Sequence, residues 1–458
     1  MAQFLEASQV RLSFSHLGLA RLNPSPPSAV EVANDLLQKN HDRYHMYFRD
    51  VAGHNHIPHS ILTVLAMGGG PRQLKRAFDD GVPIQRPLPP VDLEVVKSFK
   101  DPARFREKMT LLSEYTNYLA FFEEEIEYKG WEAVVNERCF SRTPNADYLL
   151  SQMYEGVFHP MIHLGFGVEF QLPSIVAEGL AQAASHYLGN LDHFFSGAER
   201  LVQTGSVAPK RLFDLYQEVR SNEKVRTAAL VTDRAFRVRD GVLGRALHEI
   251  IRVASQYQIT PDDLERATAE MISCAAYAAA TIQNKPGKVR RIDFYVMHNV
   301  TCSVALVVLL RQPWIKLEDK VRVLEWKGRL DLVMYAAISA PELHLENILE
   351  YKPTQSKDMT WSTMYEAIND IHDDGHIAKF VRALKLGEEV AKPFEQDDKA
   401  GDLPVKGNLW FRIAQLCFDT TSLSDGIEAD EKWVMGAGFD PMWRMVPDRS
   451  DSYDPNWR

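Results

Sequence analysis

Apolar residues recur at helical spacing along almost the whole chain, and strand-like alternation is scarce. "SAVEVANDLLQKN" (28–40) opens on a serine cap, and "DPARFREKMTLLSEYTNYLAFFEEEIEY" (101–128) opens on Asp then Pro, both good helix starts. "LPSIVAEGLAQAASHYL" (172–188), "TPDDLERATAEMISCAAYAAATI" (260–282), "LEDKVRVLEWKGRLDLVMYAAI" (317–338) and "TWSTMYEAINDIHDDGHIAKFVRALKLGEEV" (360–390) follow the same grammar. The alanine-rich 260–282 run predicts close packing on its neighbours. The reading is an all-α fold: one large helical domain over residues 1–394 with long connections, and an irregular tail, 395–458, wrapping that same domain. The tail is rich in Asp, Gly, Pro and Trp, and its role is opaque from sequence. Pro-rich breaks at 24–27 and 83–90 do not make a domain boundary, and there is no repeat or low-complexity tract.

One segment raises the question of a membrane. "IDFYVMHNVTCSVALVVLL" (292–310) is long enough to span a bilayer. It also carries Asp293, His298, Asn299, Thr301 and Ser303, nearly all in its first half. A core helix whose N-terminal half borders a polar site explains this better than a span does. The start of the chain lacks a continuous apolar run of the secretory kind. The four cysteines, Cys139, Cys274, Cys302 and Cys417, form no C-x-x-C pair, which predicts reduced thiols and a cytoplasmic location. A net charge of −10 and the lack of basic runs exclude a general nucleic-acid binder. With 458 residues, 45% of them hydrophobic, the chain can bury a sizeable core and a closed site within it.

The chemistry concentrates in histidine. Of fifteen histidines, a subset falls in four separated segments: "GHNHIPHS" with His54, His56 and His59; "FHPMIH" with His159 and His163; "YVMHNVT" with His298; and "DDGHIAKF" with His376, followed three residues on by Lys379. Each segment alone has a bland reading, as a cap, a solvent-exposed loop, or core histidines donating to carbonyls. Together they are stronger, because three of the four place histidine among apolar residues, and neutral imidazole suits Fe, Zn, Cu and Ni. Pro58 fits the first turn of a helix, so His56 lies just outside it; Pro160 does the same for His159, with His163 about a turn inside. H-E-x-x-H is not completed after His248-Glu249, and no dinucleotide, P-loop or nucleophile-elbow motif is present, so no cofactor-binding residues are assigned.

"NHIPH", "FHPMIHLGFGVEF", "HNVT" and "DDGHIAKFVRAL", in this order, resemble the questin oxidase-like family, from about residue 40 to about residue 415. That group includes fungal anthraquinone ring-opening oxygenases and an aflatoxin-pathway protein described as a Baeyer–Villiger oxidase. The resemblance implies a mostly helical fold and an aromatic polyketide substrate. It also implies oxygen insertion with carbon–carbon cleavage in secondary metabolism. Carried over residue by residue, the family pattern falls on Asn55-His56, His159, His298 with Thr301, and His376 with Lys379. His59 and His163 lie outside that pattern and are assigned, with Asn55 and Thr301, to supporting the ligands.

The expectation is a non-haem iron(II) ion held by His56, His159, His298 and His376. His376 and Lys379, three apart on one helix, share a face. An ammonium beside a dication is repelled and has no lone pair to give. Lys379 therefore either turns away or, as expected here, reacts with CO2 to form a carbamate and becomes an anionic oxygen ligand. The partners are then an aromatic polyketide and O2, with no nucleic acid and no membrane. Three other readings stay open: an NADPH-dependent Baeyer–Villiger-type oxidase, a zinc hydrolase using the same histidines, and a helical scaffold with its histidines scattered over the surface.

Overall fold

A computed structural model of the chain describes residues 6–449, apart from 52, 284, 397–402, 425 and 428. The chain is all-α, with no strand among the described residues. The described residues gather into two compact units, one made of Met1–Asp192 and Val304–Asp319, the other of His193–Ser303 and Lys320–Arg458. The end of the expected tail, 450–458, lies outside the described residues. No helix among the described residues is long and apolar enough to cross a membrane. All four cysteines are buried, with no disulfide among the described residues.

In the first unit the helix Pro173–Ser185 is central. Every residue from Ser174 to Ser185 is buried, which its run of Ala, Gly and Ser permits. It packs against the helices Glu155–Glu169 and Tyr115–Lys129. Glycine sets the closeness of the first contact: a Cβ on Gly179 would lie 2.8 Å from the Leu164 amide nitrogen. A Cβ on Gly167 would lie 2.6 Å from that of Val176. Backbones that close bring the Glu178 carboxylate within 2.7 Å of His163 Nε2.

In the second unit the alanine-rich helix Leu264–Thr281 is buried continuously from Ala267 to Thr281, as its composition predicts, and packs on the helix His376–Ala391. Leu409–Thr421, part of the expected tail, lies along that same helix.

Two long helical runs read from the sequence are broken in the structure. The 101–128 run divides into Pro102–Lys108 and Tyr115–Lys129. Between them Thr110 adopts φ +70°, and its amide donates to the Ala184 carbonyl at 2.8 Å. A tertiary hydrogen bond there outweighs local helix propensity. The 360–390 run divides into Trp361–Ile368 and His376–Ala391, interrupted by Gly375 at φ +94°. Here the left-handed glycine turns the chain, and the Asp373 carboxylate accepts from the Ile377 amide at 2.9 Å to start the next helix. This break puts His376 at the first position of a helix instead of in the middle of one.

Candidate functional site: two imidazole pairs

In the first unit His56 is the residue preceding the helix Ile57–Ala66, and Pro58 occupies its first turn, as the sequence implies. Asn55 builds that start: its carboxamide oxygen accepts from the Ile57 amide (3.0 Å) and its NH2 donates to Asn40 Oδ1 (2.9 Å). Asn55 thus holds the loop carrying His56. His159 opens the regular part of the helix Glu155–Glu169, after three successive left-handed residues, Gly156 (φ 54°), Val157 (φ 53°) and Phe158 (φ 67°). For β-branched Val157 this conformation is strained, of order 1–3 kcal/mol. A Cβ on Gly156 would stand 2.3 Å from His186 Nε2, so the turn needs glycine for space as well as for φ. The turn aims His159 so that its Nδ1 lies 2.6 Å from the Gly156 carbonyl and its Nε2 lies 2.7 Å from His56 Nε2.

In the second unit His298 lies on the helix Phe294–Leu310, whose start is capped by the buried Asp293 carboxylate accepting from the amides of Tyr295 (2.8 Å) and Val296 (3.2 Å). Its Nδ1 lies 2.7 Å from the Phe294 carbonyl. His376 Nδ1 lies 2.5 Å from Asp374 Oδ1. The two Nε2 atoms face each other at 3.2 Å, and both side chains are fully buried. Thr301 Oγ1 donates back to the His298 carbonyl (3.3 Å), which braces the helix under the ring.

The hydrogen-bond partners fix the tautomers. The Phe294 carbonyl only accepts, so the His298 proton sits on Nδ1. Burial, the largest influence on His376, pulls its pKa below the usual histidine range, so that ring is neutral, and its proton points at the Asp374 carboxylate. The two Nε2 atoms then face one another at 3.2 Å. A proton shared between them, or a cation bound by both, accounts for that approach. Two imidazoles at adjacent positions of one ion, with bonds of about 2.1 Å, have nitrogens about 3.0–3.4 Å apart. The His298–His376 pair meets that spacing as it stands. The His56–His159 pair, at 2.7 Å, would open by a few tenths of an ångström. The donor set, imidazole nitrogens with the far side of three of the four rings tied to a carbonyl or carboxylate, fits a divalent transition metal.

Lys379, one turn past His376, is buried, and its Nζ has no hydrogen-bond partner among the described residues. Burial, outweighing the carboxylates of Asp374 and Asp373, brings its pKa down to about 8. At neutral pH that still leaves the ammonium as the major form, with a neutral fraction far larger than an exposed lysine has.

His59 and His163 lie behind the first pair. His59 Nε2 is 3.0 Å from His163 Nδ1, and His163 Nε2 is 2.7 Å from Glu178 Oε2. Sequence reasoning named His54 without giving it a role and missed His186, Asp374 and Glu178. His54 stacks on His159 with ring centroids 4.1 Å apart, and its Nε2 is 3.1 Å from that of His186. Asp374, two residues before His376, was legible as an acid next to a helix-starting histidine. Glu178, inside an apolar helix, had no such signal. The tail supplies the other surprise. The Ala437 amide donates to Asp293, and the Trp433 ring stands 6.5 Å from that of His376. Residues 433–437 thus support both the cap of the His298 helix and the His376 ring.

Fold and site together define an all-α protein in which each unit holds a pair of facing imidazoles, His159, His298 and His376 buried and His56 half-buried; a scaffold with surface histidines does not describe it. The sequence profile of the questin oxidase-like family matches residues 53–384, and the chain belongs to that family. It is 54% identical over 442 residues to Baeyer-Villiger oxidase ptaJ of Pestalotiopsis fici, covering 96% of this chain and 98% of that protein. It is 55% identical over 444 residues to Baeyer-Villiger oxidase notM of an Aspergillus species (97% and 99%). To a questin oxidase of Aspergillus fumigatus it is 49% identical over 448 residues (96% and 99%). The chain is accordingly an oxidase, as the resemblance of its motifs implies.

Proposed function

We propose that this oxidase opens the ring of an anthraquinone-type polyketide with O2, using one iron(II) ion held by His56, His159, His298 and His376, with Lys379 as a carbamate. The observation that carries the reading is the His298–His376 pair, two fully buried rings whose Nε2 atoms face each other 3.2 Å apart. The relatives' names support the reaction class: one acts on questin, others are named for Baeyer–Villiger oxidation. Bound between these rings, iron(II) supplies the one-electron chemistry that lets O2 react with a closed-shell aromatic ring.

The chain's own part is electrostatic and positional. Four neutral imidazoles leave the ion's charge uncompensated, and a carbamate on Lys379 would offset part of it. Forming it takes a neutral amine and CO2 and releases one proton, so the burial that lowers Lys379 to about 8 favours it. Asp374 holds the His376 tautomer, and the Phe294 and Gly156 carbonyls hold those of His298 and His159.

Reconstitution under nitrogen with Fe(II), followed by O2 and a panel of hydroxyanthraquinones and their reduced forms, tests the proposal. The expected result is oxygen uptake that depends on iron and yields a ring-opened acid. Oxygen uptake by metal-free protein that depends on NADPH would favour the Baeyer–Villiger reading instead. For Lys379, intact-mass analysis under CO2 at neutral pH is expected to show one added CO2 that disappears in Lys379→Arg. An unmodified lysine in the active, iron-loaded protein would remove the carbamate.

A further inference from the structure

Arg237, in the second unit, is only 3% exposed, and a guanidinium is costly to take out of water. Among the described residues no carboxylate accepts from it. Nη1 donates to the Met435 carbonyl (2.7 Å) and Nη2 to the Met442 thioether (3.3 Å). The guanidinium carbon stands 4.9 Å from the centre of the Phe439 ring and 5.3 Å from that of Tyr295. Gly436 leaves the room for this, since a Cβ there would stand 2.4 Å from Nη1. Three of these contacts reach one C-terminal strap, residues 433–442. The fourth reaches the first turn of the helix Phe294–Leu310, which carries His298.

The strap meets that helix at Phe294. The Phe294 amide donates to the Val434 carbonyl (2.9 Å) and the Val434 amide to the Ile292 carbonyl (3.0 Å), forming an isolated parallel bridge. The Phe294 carbonyl in turn accepts from His298 Nδ1 (2.7 Å). The Phe294 ring packs at 68° against both imidazoles, with centroids 4.6 Å from His298 and 5.2 Å from His376. On the strap, Trp433 backs His376, and the Ala437 amide donates to the Asp293 carboxylate that caps the helix. One residue, Phe294, thus carries the strap's position to both rings.

The structure assigns Arg237 a positioning role at the proposed metal site: it clamps residues 433–442 onto the start of the His298 helix, and through Phe294 the clamp holds the His298–His376 spacing. This rests on the proposed iron site. The strap's other holds do not supply that precision. Its apolar cluster, Val289, Val434, Trp443 and Val446, resists lifting, but apolar packing is non-directional and does not fix the place of a carbonyl. The ion pairs Lys285–Asp440 and Lys288–Asp448 have carboxylates open to solvent, where such pairs hold little. The Arg237 fork is buried and directed, and its two N–H groups grip the strap at Met435 and Met442, on either side of Ala437. Its charge also favours the ionised form of the Asp293 carboxylate, which burial opposes, and so strengthens the acceptor shared by Ala437 and the first helical amides.

The test uses the full-length protein, metal-free and loaded with Co(II), whose visible bands report ligand geometry. Arg237→Met keeps the side chain's length and removes its charge and its donors. In metal-free protein the Phe294 and Ala437 amides are expected to exchange with deuterium at least about 10-fold faster in this variant than in wild type. In the cobalt form the bands should shift at saturating metal, and affinity should weaken about 10- to 100-fold. With saturating Fe(II), kcat should fall while KM stays unchanged, because the clamp acts on the ligands. Arg237→Lys keeps the charge and one donor for the Met435 carbonyl. It should lie between the two, and it carries the same test if the methionine variant does not fold. Unchanged amide exchange overturns the clamp and leaves the iron site standing. Faster exchange with unchanged cobalt bands and affinity means that Arg237 holds the strap for stability alone, which overturns the positioning role. Cobalt spectra that are identical in wild type and His298→Ala overturn the metal site, and the positioning role with it.

Discussion

Replacing His298 by alanine is expected to abolish iron binding and turnover together. In the native protein His298 Nδ1–H donates to the Phe294 carbonyl, which leaves Nε2 to face the Nε2 of His376 at 3.2 Å. Removing the ring removes one ligand and leaves His376 facing a cavity in a site with no exposure to solvent. Loss of a partner that merely orients a ligand costs about 10- to 100-fold in metal affinity, so loss of the ligand itself should exceed about 100-fold. Elemental analysis after dialysis and oxygen consumption with a hydroxyanthraquinone should fall in step. Full iron occupancy in His298→Ala would remove His298 from the ligand set and the present reading of the second unit with it. Asp374→Asn is the graded companion: an amide is a weaker partner for His376 Nδ1–H, so iron should bind less tightly without being lost.

The largest stability effect is expected at Glu178. This carboxylate is wholly buried and sits between His41 and His163, with His41 also bonded to Glu123. Burial alone would raise its pKa, but the hydrogen bonds from His163 and His41 and the His41 charge bring it down to about 2. Burial likewise opposes charging of His41, yet its two carboxylate partners lift it to about 10. Opposite shifts in the two partners describe one fully formed ion pair. Glu178→Leu leaves His41 buried with a single counter-ion, and breaking a buried pair in this way costs about 3–5 kcal/mol. Chemical denaturation of the first unit, followed by a probe within it, should show the loss.

The pH dependence follows from the same shifts. Glu178 is lower in the folded state than its ordinary value of 4.5, so its contribution is complete above that value and is lost as pH falls toward about 2. His41 is higher than its ordinary 6.5, so its contribution is complete below that value and is lost as pH rises toward about 10. The pair therefore stabilises most between pH 4.5 and 6.5. The difference in unfolding midpoint between wild type and Glu178→Leu should be widest in that window and narrow on both sides. A difference independent of pH would mean that Glu178 acts by packing alone.

Much of this was written in local patterns. Helical spacing, the Asp101 cap and Pro in first turns specified an all-α chain, because these signals act within a few residues and need no partner elsewhere; the serine read as a cap, Ser28, lies inside the helix Pro27–Arg43. The same locality marked His56 and His159 at helix starts, through Pro58 and Pro160, and put Lys379 on the same helix face as His376. Local patterns failed where a distant group competed with the helix. Thr110 leaves helical geometry to bond Ala184, and Gly375 ends one run so that Asp373 can start the next.

Tertiary structure alone decided what each imidazole faces. A histidine's chemistry depends on which of its nitrogens holds the proton, and that is set by the acceptor across from it: the Phe294 and Gly156 carbonyls, Asp374, or Glu178. These acceptors are two to fifteen residues away in sequence, but the partners that complete the pairs are 78 and 103 residues away. The sequence could thus name histidine as the reactive residue type and say where on its helices it stands. Only the packed interior, by excluding water and fixing each acceptor, determined which lone pairs meet.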